Sequence, residues 1–394
     1  MVEDLNKIDI MIDMEKVQAK TWVEVSCSNL RSNVAMFRSL LGDCQKLAAV
    51  VKSNAYGHGD LLVTETVADM IDYLAVDSLE EALRIKSVSL SKPILILGYT
   101  LKSDLALLVE NSFETIVSNL ETLEILGILS TEKQIPVKVH FKIETGTSRQ
   151  GIDLQELNNY CVQLKKYPNL QLAGVYTHFA NIEDTSDFSY AQHQLEVYYQ
   201  SLAVIREHGF EGFIRHTAST AATIIYPQTH FDMVRVGIGL YGLWPAAQTL
   251  VSSQQLNVKF ELKPVLTWKS LVAQVKLLTA GSSVSYGCTE KVVKNTKVAV
   301  IPVGYRDGVD RKLSSVGHVL VRGKKCKILG RICMNMMIVD VDHVADIKLE
   351  DEVVLLGQQG GERITAEEIA AKISTINYEV VTRINPLIER RLVD

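Results

Sequence analysis

Val51-Lys52-Ser53-Asn54-Ala55-Tyr56-Gly57-His58-Gly59 is the stretch on which the fold turns. The apolar run Leu47–Val51 leads into it, so a lysine closes a short buried strand and a glycine-rich turn follows. A lone lysine is ordinarily a solvated surface charge. At the C-terminal end of a strand buried on both faces it instead points into the mouth of a barrel, where catalytic groups collect. Desolvation there lowers its pKa and frees the amine for a Schiff base.

Further runs of the same kind lie beyond it: Tyr73–Val76, Pro93–Leu97, Thr115–Val117, Val137–Ile143, Leu172–Thr177, Phe213–His216 and Val234–Ile238. They are short, nearly uninterrupted and rich in Val, Ile and Leu, as strands covered on both faces should be. Amphipathic segments separate them. Ser28–Leu41 places Leu30, Val34, Phe37 and Leu41 on one face and stops at Gly42, and Ser78-Leu79-Glu80-Glu81 reads as a capping box. Eight such repeats fit an α/β fold of the (β/α)8 TIM barrel type, with a doubly wound open sheet as the structural competitor. After about Asn257 the pattern becomes short strands between Gly and Asp turns: Val265–Leu278, Lys297–Val303, Gly317–Arg322, Cys326–Leu329, Met337–Val341 and Glu352–Leu356. Helical periodicity returns only at Ala366–Ile373. The expected organisation is a leader over 1–20, a barrel over 21–257 and a C-terminal mostly-β domain over 258–394, joined through the polar stretch Gln248–Val258.

With 47% hydrophobic and 22% charged residues, the 394-residue chain has the composition of a globular enzyme. Its 41 basic and 46 acidic residues leave no basic surplus to recommend nucleic acid as a partner. The longest uncharged stretch, Val236–Val258, carries three Gln, two Ser and a Pro, and so does not read as a membrane span. Met1–Lys16 lacks the basic and apolar regions of a signal peptide. Six cysteines without a CxxC pair imply reduced thiols, a cytoplasmic location and no metal site.

Other polar residues share the address of Lys52. Arg149 follows the fifth run, His178 ends the sixth, Ser219 and Thr220 follow the seventh, and Arg235 lies in the eighth just before Gly237-Ile238-Gly239. Each has a bland alternative as a loop charge, a core histidine or a helix cap. Together they line one end of a barrel, and hydroxyls with glycines after the last two strands suit a phosphate. A Schiff-base lysine beside a phosphate cup suggests pyridoxal 5′-phosphate (PLP). A class I aldolase or a phosphosugar isomerase would share part of this pattern, but neither needs a second β domain.

Over nearly its whole length the chain resembles the alanine racemase family. The resemblance is carried by Ala49–Gly59, Glu144-Thr145-Gly146, Thr177-His178-Phe179, Val234–Ile238, Val284-Ser285-Tyr286-Gly287, Gly304-Tyr305-Arg306-Asp307-Gly308 and Gly330-Arg331-Ile332-Cys333-Met334. It implies a PLP-binding barrel, a β domain and a homodimer whose active sites draw on both chains. Lys52 would hold PLP and act as base on one face of a small amino acid, with Tyr286 of the second chain on the other. Tyr56, Thr220, Gly237 and Ile238 would bind the phosphate, and Arg235 the pyridine nitrogen. Arg149 and the backbone at Met334 would hold the substrate carboxylate. Lys142, carbamylated in some members, would orient Arg149, and His178 would link Arg235 to Tyr286.

Departures from the family pattern sharpen the expectation. Glu144 and Ser53 stand where Asp and Ala are usual, and Asn335 where Asp is common. A phenol that gates the pocket in many members has no counterpart in Thr382-Arg383-Ile384-Asn385-Pro386-Leu387, where Asn385 or Pro386 takes its place and Asn385 could bond a substrate hydroxyl. A wider pocket with a polar partner would accept serine. That resembles the serine racemases of glycopeptide (vancomycin) resistance, with Met1–Lys16 as the stub of a membrane anchor and the product supplying peptidoglycan precursors. An ordinary alanine racemase is the alternative, and a PLP-dependent basic amino-acid decarboxylase a more distant one.

Overall fold

The computed structural model describes residues 18–88, 91–255 and 260–394. The leader Met1–Lys16 and the expected boundary at 257/258 lie outside the described residues. A first strand, β1 (Thr21–Ser26), precedes eight more: β2 (Lys46–Val50), β3 (Tyr73–Val76), β4 (Ile94–Ile96), β5 (Glu114–Val117), β6 (Val137–Lys142), β7 (Leu170–Tyr176), β8 (Ile214–His216) and β9 (Met233–Val236). Strands β2 to β9 are the eight apolar runs, with ends displaced by one or two residues.

They form one parallel sheet in the order β8-β7-β6-β5-β4-β3-β2-β9. Its two edges meet. The amide of Asp232 donates to the carbonyl of Arg215 at 3.0 Å and that of Arg235 to Ala218 at 2.9 Å. The Arg215 guanidinium pairs with the Asp232 carboxylate at 2.7 Å across the same seam. The sheet is therefore a barrel and not an open doubly wound sheet. Val, Ala and Leu fill both faces of the strands, as the uninterrupted apolar runs require.

The helix Cys27–Arg38 begins where Ser26 Oγ accepts the Asn29 amide, and it buries Leu30, Val34 and Phe37. It ends before the expected Gly42 because the amides of Leu40 and Leu41 bond three residues back, tightening the last turn.

Two compact units divide the chain. One holds Val25–Leu266, Ser374–Pro386 and Leu392–Asp394; the other holds Thr267–Ile373 with Leu387–Arg391 and the described residues before Val25. In the second, β10 (Leu266–Leu271), β11 (Gln274–Leu278), β12 (Ser283–Val284), β13 (Glu290–Lys291), β14 (Thr296–Ile301), β15 (His318–Val321), β16 (Lys324–Leu329), β17 (Met337–Asp340), β18 (Glu352–Gln359), β19 (Glu362–Ile364) and β20 (Arg390–Val393) follow one another. The main sheet runs β11-β14-β17-β16-β15-β18-β10-β1-β20, with β19 on β18. The run Val265–Leu278 breaks into two strands at Val272–Ala273, where the chain leaves β18 and takes β14 as partner. The helix Ala366–Ile373 stands where the sequence places it. All six cysteines are free thiols.

One glycine shapes the barrel interior. A Cβ on Gly174 in β7 would fall 2.1 Å from Nδ1 of His140, which projects from β6 beside a pairing irregularity between Val139 and His140. Gly174→Ala should therefore cost about 2–3 kcal/mol of stability through overpacking. Gly361→Ala, whose new Cβ meets nothing within 4 Å, should cost close to nothing. Urea denaturation compares them, and equal midpoints would contradict the close approach.

Candidate active site

The lysine turn is left-handed. Ser53, Asn54, Ala55 and Tyr56 have φ of 55°, 55°, 51° and 54°, four consecutive non-glycine residues in a region that L-residues avoid. Each costs roughly 1–2 kcal/mol against the right-handed alternative. Local bonds offset this. The Gly57 amide returns to the carbonyls of Ser53 and Asn54, the Gly59 amide to Asn54, and Asn54 Oδ1 accepts the Asp60 amide. Glu81 fastens the turn from outside, accepting the Ser53 amide at 2.6 Å and the Asp77 amide at 2.8 Å. The Ser78–Glu81 capping box is thus half formed. Ser78 Oγ accepts the Glu81 amide, but the Glu81 carboxylate serves the lysine turn instead of its own helix start.

Lys52 opens on a cavity of about 870 Å³ whose walls come from the barrel unit alone. Tyr56, Lys142, Arg149, His178, Thr220, Arg235, Gly237 and Ile238 all line it, so the structure brings these sequence-named residues together. At one end Thr220 Oγ1 accepts the Gly237 amide at 3.0 Å and ties two loops together. Beside it Ser219 Oγ is buried with no partner among the described residues, and a Cβ on Gly237 would lie 2.5 Å from Tyr56 Oη. An orphaned hydroxyl in a cradle too tight for a side chain fits a phosphate.

Arg235 is 5% exposed and governs the other end. Its Nη1 donates to His216 Nδ1 at 2.8 Å and to the His216 carbonyl at 2.7 Å. Its Nη2 donates to the Thr177 carbonyl at 2.9 Å and the Thr217 carbonyl at 3.3 Å. A guanidinium has five N–H donors. Four are spent on the strand ends, and Nε–H has no protein acceptor among the described residues. The group lies 4.9 Å over the ring of Tyr176, which stacks on His216 at 4.8 Å. The imidazole bonded to Arg235 is thus His216, whereas His178 lines the cavity nearby.

Cations dominate this space, and their pKa shifts follow. Burial, then Arg149 and Arg235, pull the Lys142 ammonium down to about 8. Burial lowers Arg235 to about 10, still fully charged at neutral pH. Burial and the neighbouring Arg235 and Arg149 push His178 down to about 3, so its ring is neutral. Burial raises the Tyr56 phenol to about 12. Against these charges stand Asp77, 3.2 Å from Lys52 Nζ, and Glu144, held ionised by the amides of its own loop against its partial burial. Lys142 Nζ reaches Gln150 Oε1 at 3.3 Å.

The remaining sequence-named residues lie elsewhere. Tyr286 and Met334 belong to the β unit and are 73% and 53% exposed. Their motifs converge there. The amides of Tyr305 and Arg306 donate to the carbonyls of Cys333 and Met334, and a Cβ on Gly304 would strike Cys333 O at 2.1 Å. Asn385 is not among the residues that line this cavity. The helix Asn377–Thr382 turns Tyr378 and Thr382, four residues apart on one face, into the wall. Asn377 Nδ2 anchors that helix to the Trp244 carbonyl at 2.9 Å, and the Tyr378 ring lies 6.1 Å from that of Tyr56. Tyr378 thus sets a phenol in the wall, at a position that precedes the segment in which the gating phenol is expected. Sequence reasoning also missed Asp77, Tyr176 and His216. A polar group within a buried strand is costly unless bonded, and that was the available signal for the last two.

Residues 25–245 match the family described as alanine racemase, N-terminal domain, and residues 265–392 the one described as alanine racemase, C-terminal domain. An alanine racemase of Leptospira interrogans is 41% identical over 378 residues, covering 95% of this chain and 96% of its own. One of Halothermothrix orenii is 37% identical over 377 residues, covering 95% and 97%. Among solved structures, the alanine racemase of Bacillus anthracis with bound L-Ala-P matches with a TM-score of 0.89 at 32% identity, covering 96% of each chain.

The Lys142 shift carries a stability prediction with a definite sign. Its folded pKa of about 8 lies below the ordinary 10.5, so the penalty for charging it is complete below pH 8 and fades as pH rises to 10.5. Lys142→Met should stabilise the cofactor-free chain by about 2–3 kcal/mol at pH 7 and by almost nothing near pH 10.5. Urea titrations in CO2-free buffer check this, and a gain independent of pH would contradict it.

Proposed function

Because the chain belongs to the alanine racemase family, a family of isomerases, we propose that it interconverts L- and D-alanine with PLP held at Lys52. The observation that carries this reading is the cavity itself. Lys52, Lys142, Arg149 and Arg235 face one space that ends in the cup of Ser219, Thr220 and Gly237. Such a charge pattern suits a phosphate at one end and an amino-acid carboxylate at the other.

When bound, PLP supplies an electron sink that acidifies the Cα–H of an amino acid joined to it. The chain's own groups do the rest. Tyr56 Oη, Ser219 Oγ, Thr220 and the backbone at Gly237 and Ile238 hold the phosphate. The remaining Nε–H of Arg235 donates to the ring nitrogen without surrendering its proton, as a guanidinium does not deprotonate at working pH. Lys52 Nζ removes or returns a proton at one face of Cα, while Asp77 steadies its charge. Arg149 binds the carboxylate, with Lys142 beside it. An amine with a pKa of about 8 is substantially neutral near pH 8, the form that CO2 carbamylates. Racemisation needs a second proton donor on the opposite face. Exposed Tyr286 supplies it from a second copy of the chain, together with the backbone at Met334, so the working enzyme is a homodimer. The D-alanine formed serves peptidoglycan precursors. Alanine is the substrate this reading favours, because the relatives that match nearly the whole chain are alanine racemases.

Chiral chromatography tests the substrate. The PLP-loaded chain should form D-alanine at least about tenfold faster than D-serine. Equal rates would overturn the preference, and neither product would overturn the function. Lys52→Ala and Tyr286→Phe should each lose about a thousandfold or more in kcat. Equal mixing of the two variants, refolded together, should restore about a quarter of wild-type activity, since half the dimers carry one intact site. No recovery would contradict the shared site.

A further inference from the structure

A line of buried polar side chains leaves the cavity and runs through the barrel core. Arg235 Nη1 meets His216 Nδ1 at 2.8 Å; His216 Nε2 meets His140 Nδ1 at 2.9 Å; His140 Nε2 meets Glu114 Oε2 at 2.8 Å. His140 and His216 are fully buried, and Glu114 is 3% exposed. Glu114 Oε1 then meets Lys138 Nζ at 3.2 Å, where the side chain reaches solvent. Neither imidazole nor Glu114 lines the cavity.

The proton positions follow without ambiguity. Arginine can only donate, so His216 Nδ1 accepts and its proton sits on Nε2. That proton points at His140 Nδ1, which must accept, leaving the His140 proton on Nε2. It points at the carboxylate, which can only accept when ionised. Burial opposes ionisation of Glu114, but its bond to His140 and the nearby Lys138 outweigh that and hold it below the usual range. Burial and Arg235 hold His216 far below the usual imidazole value, hence neutral. The chain of bonds thus has a cation at one end, an anion at the other and two neutral rings between them.

We propose that Glu114 is a positioning residue for the cofactor-facing guanidinium of Arg235, acting across the barrel core through His140 and His216. No carboxylate lies within ion-pair distance of Arg235 among the described residues, and its other protein bonds are to carbonyls. Glu114 supplies the missing negative charge at a distance. It also forbids the reversed order of donors, which would aim a His216 N–H at an arginine N–H. The guanidinium plane is then pinned, and Nε–H is the donor it leaves unspent. Gly174 belongs to the same device, since any side chain there would displace His140. The inference rests on the proposed role of Arg235 toward PLP.

Three readouts on the full-length, PLP-loaded chain test it. Histidine 15N NMR of the unmutated protein should show both rings neutral and protonated on Nε2; an Nδ1–H or doubly protonated ring at either position overturns the relay. In urea, Glu114→Gln and Arg235→Met should be coupled. Distant substitutions without shared partners act independently. Here the unfolding constant of the double variant should differ about tenfold from the product of the single effects, or 1.4 kcal/mol. Independence within twofold overturns the relay. Lys138→Met, which removes only the outer ion pair, should leave the His tautomers unchanged; altered tautomers would overturn Glu114 as the end of the line. Finally, Glu114→Gln should lower kcat for alanine about tenfold with KM unchanged; an unchanged kcat overturns the positioning role. A wild-type chain that racemises nothing would overturn the functional reading instead, and the tautomers would still be read.

Discussion

A guanidinium sealed inside the barrel without a carboxylate beside it is the constraint to which the rest of the site conforms. Transferring an unpaired charge from water into a protein interior costs several kcal/mol even after relaxation. Arg235 is held there by four hydrogen bonds, the face of Tyr176 and the line of imidazoles that ends at Glu114. Because the carbonyls come from the ends of β7 and β8, the arginine also stitches the place where the barrel closes. Barrel closure and the orientation of the cavity-lining arginine are consequently one arrangement. The donor left over is fixed by what the strands have already taken.

The lysine end shows the complementary strategy, in which strain is held in place. A left-handed turn of four side-chain-bearing residues survives because Glu81, the Gly57–Gly59 bend and the packing of Val381 against Gly57 over-determine it. The turn places Lys52 and Tyr56 in the same cavity. It then leads through the Gly57–Gly59 bend into the helix Asp60–Val67. Asp77, anchored by the same Glu81, gives the lysine its nearby carboxylate.

Much of this was legible in the sequence, for a physical reason. Strands buried on both faces must be apolar throughout, so β2 to β9 announce themselves as runs, and polar residues at their C-terminal ends stand out. The line from His216 to Glu114 was hidden by the same logic, because polar residues inside such runs are absorbed into a core reading. Val137-Lys138-Val139-His140-Phe141-Lys142 offers no periodicity that separates a packed histidine from a relay. The C-terminal segment was hard to read for a different reason. Which residue of the C-terminal segment faces the cavity depends on where the helix Asn377–Thr382 sits, and its six residues are too few to fix a helical phase from sequence. β1 gives no sequence sign that it enters the β sheet, since its partners lie far along the chain.

The site depends most on the one guanidinium donor that the barrel leaves unspent. The direct measurement is the 15N shift of PLP labelled at its ring nitrogen and bound to the intact chain, compared with the Arg235→Met variant. The ring nitrogen should be unprotonated at pH 8 and accept a hydrogen bond, with the shift moving toward that of a free pyridine in the variant. A protonated ring nitrogen, or a shift indifferent to loss of Arg235, would contradict it.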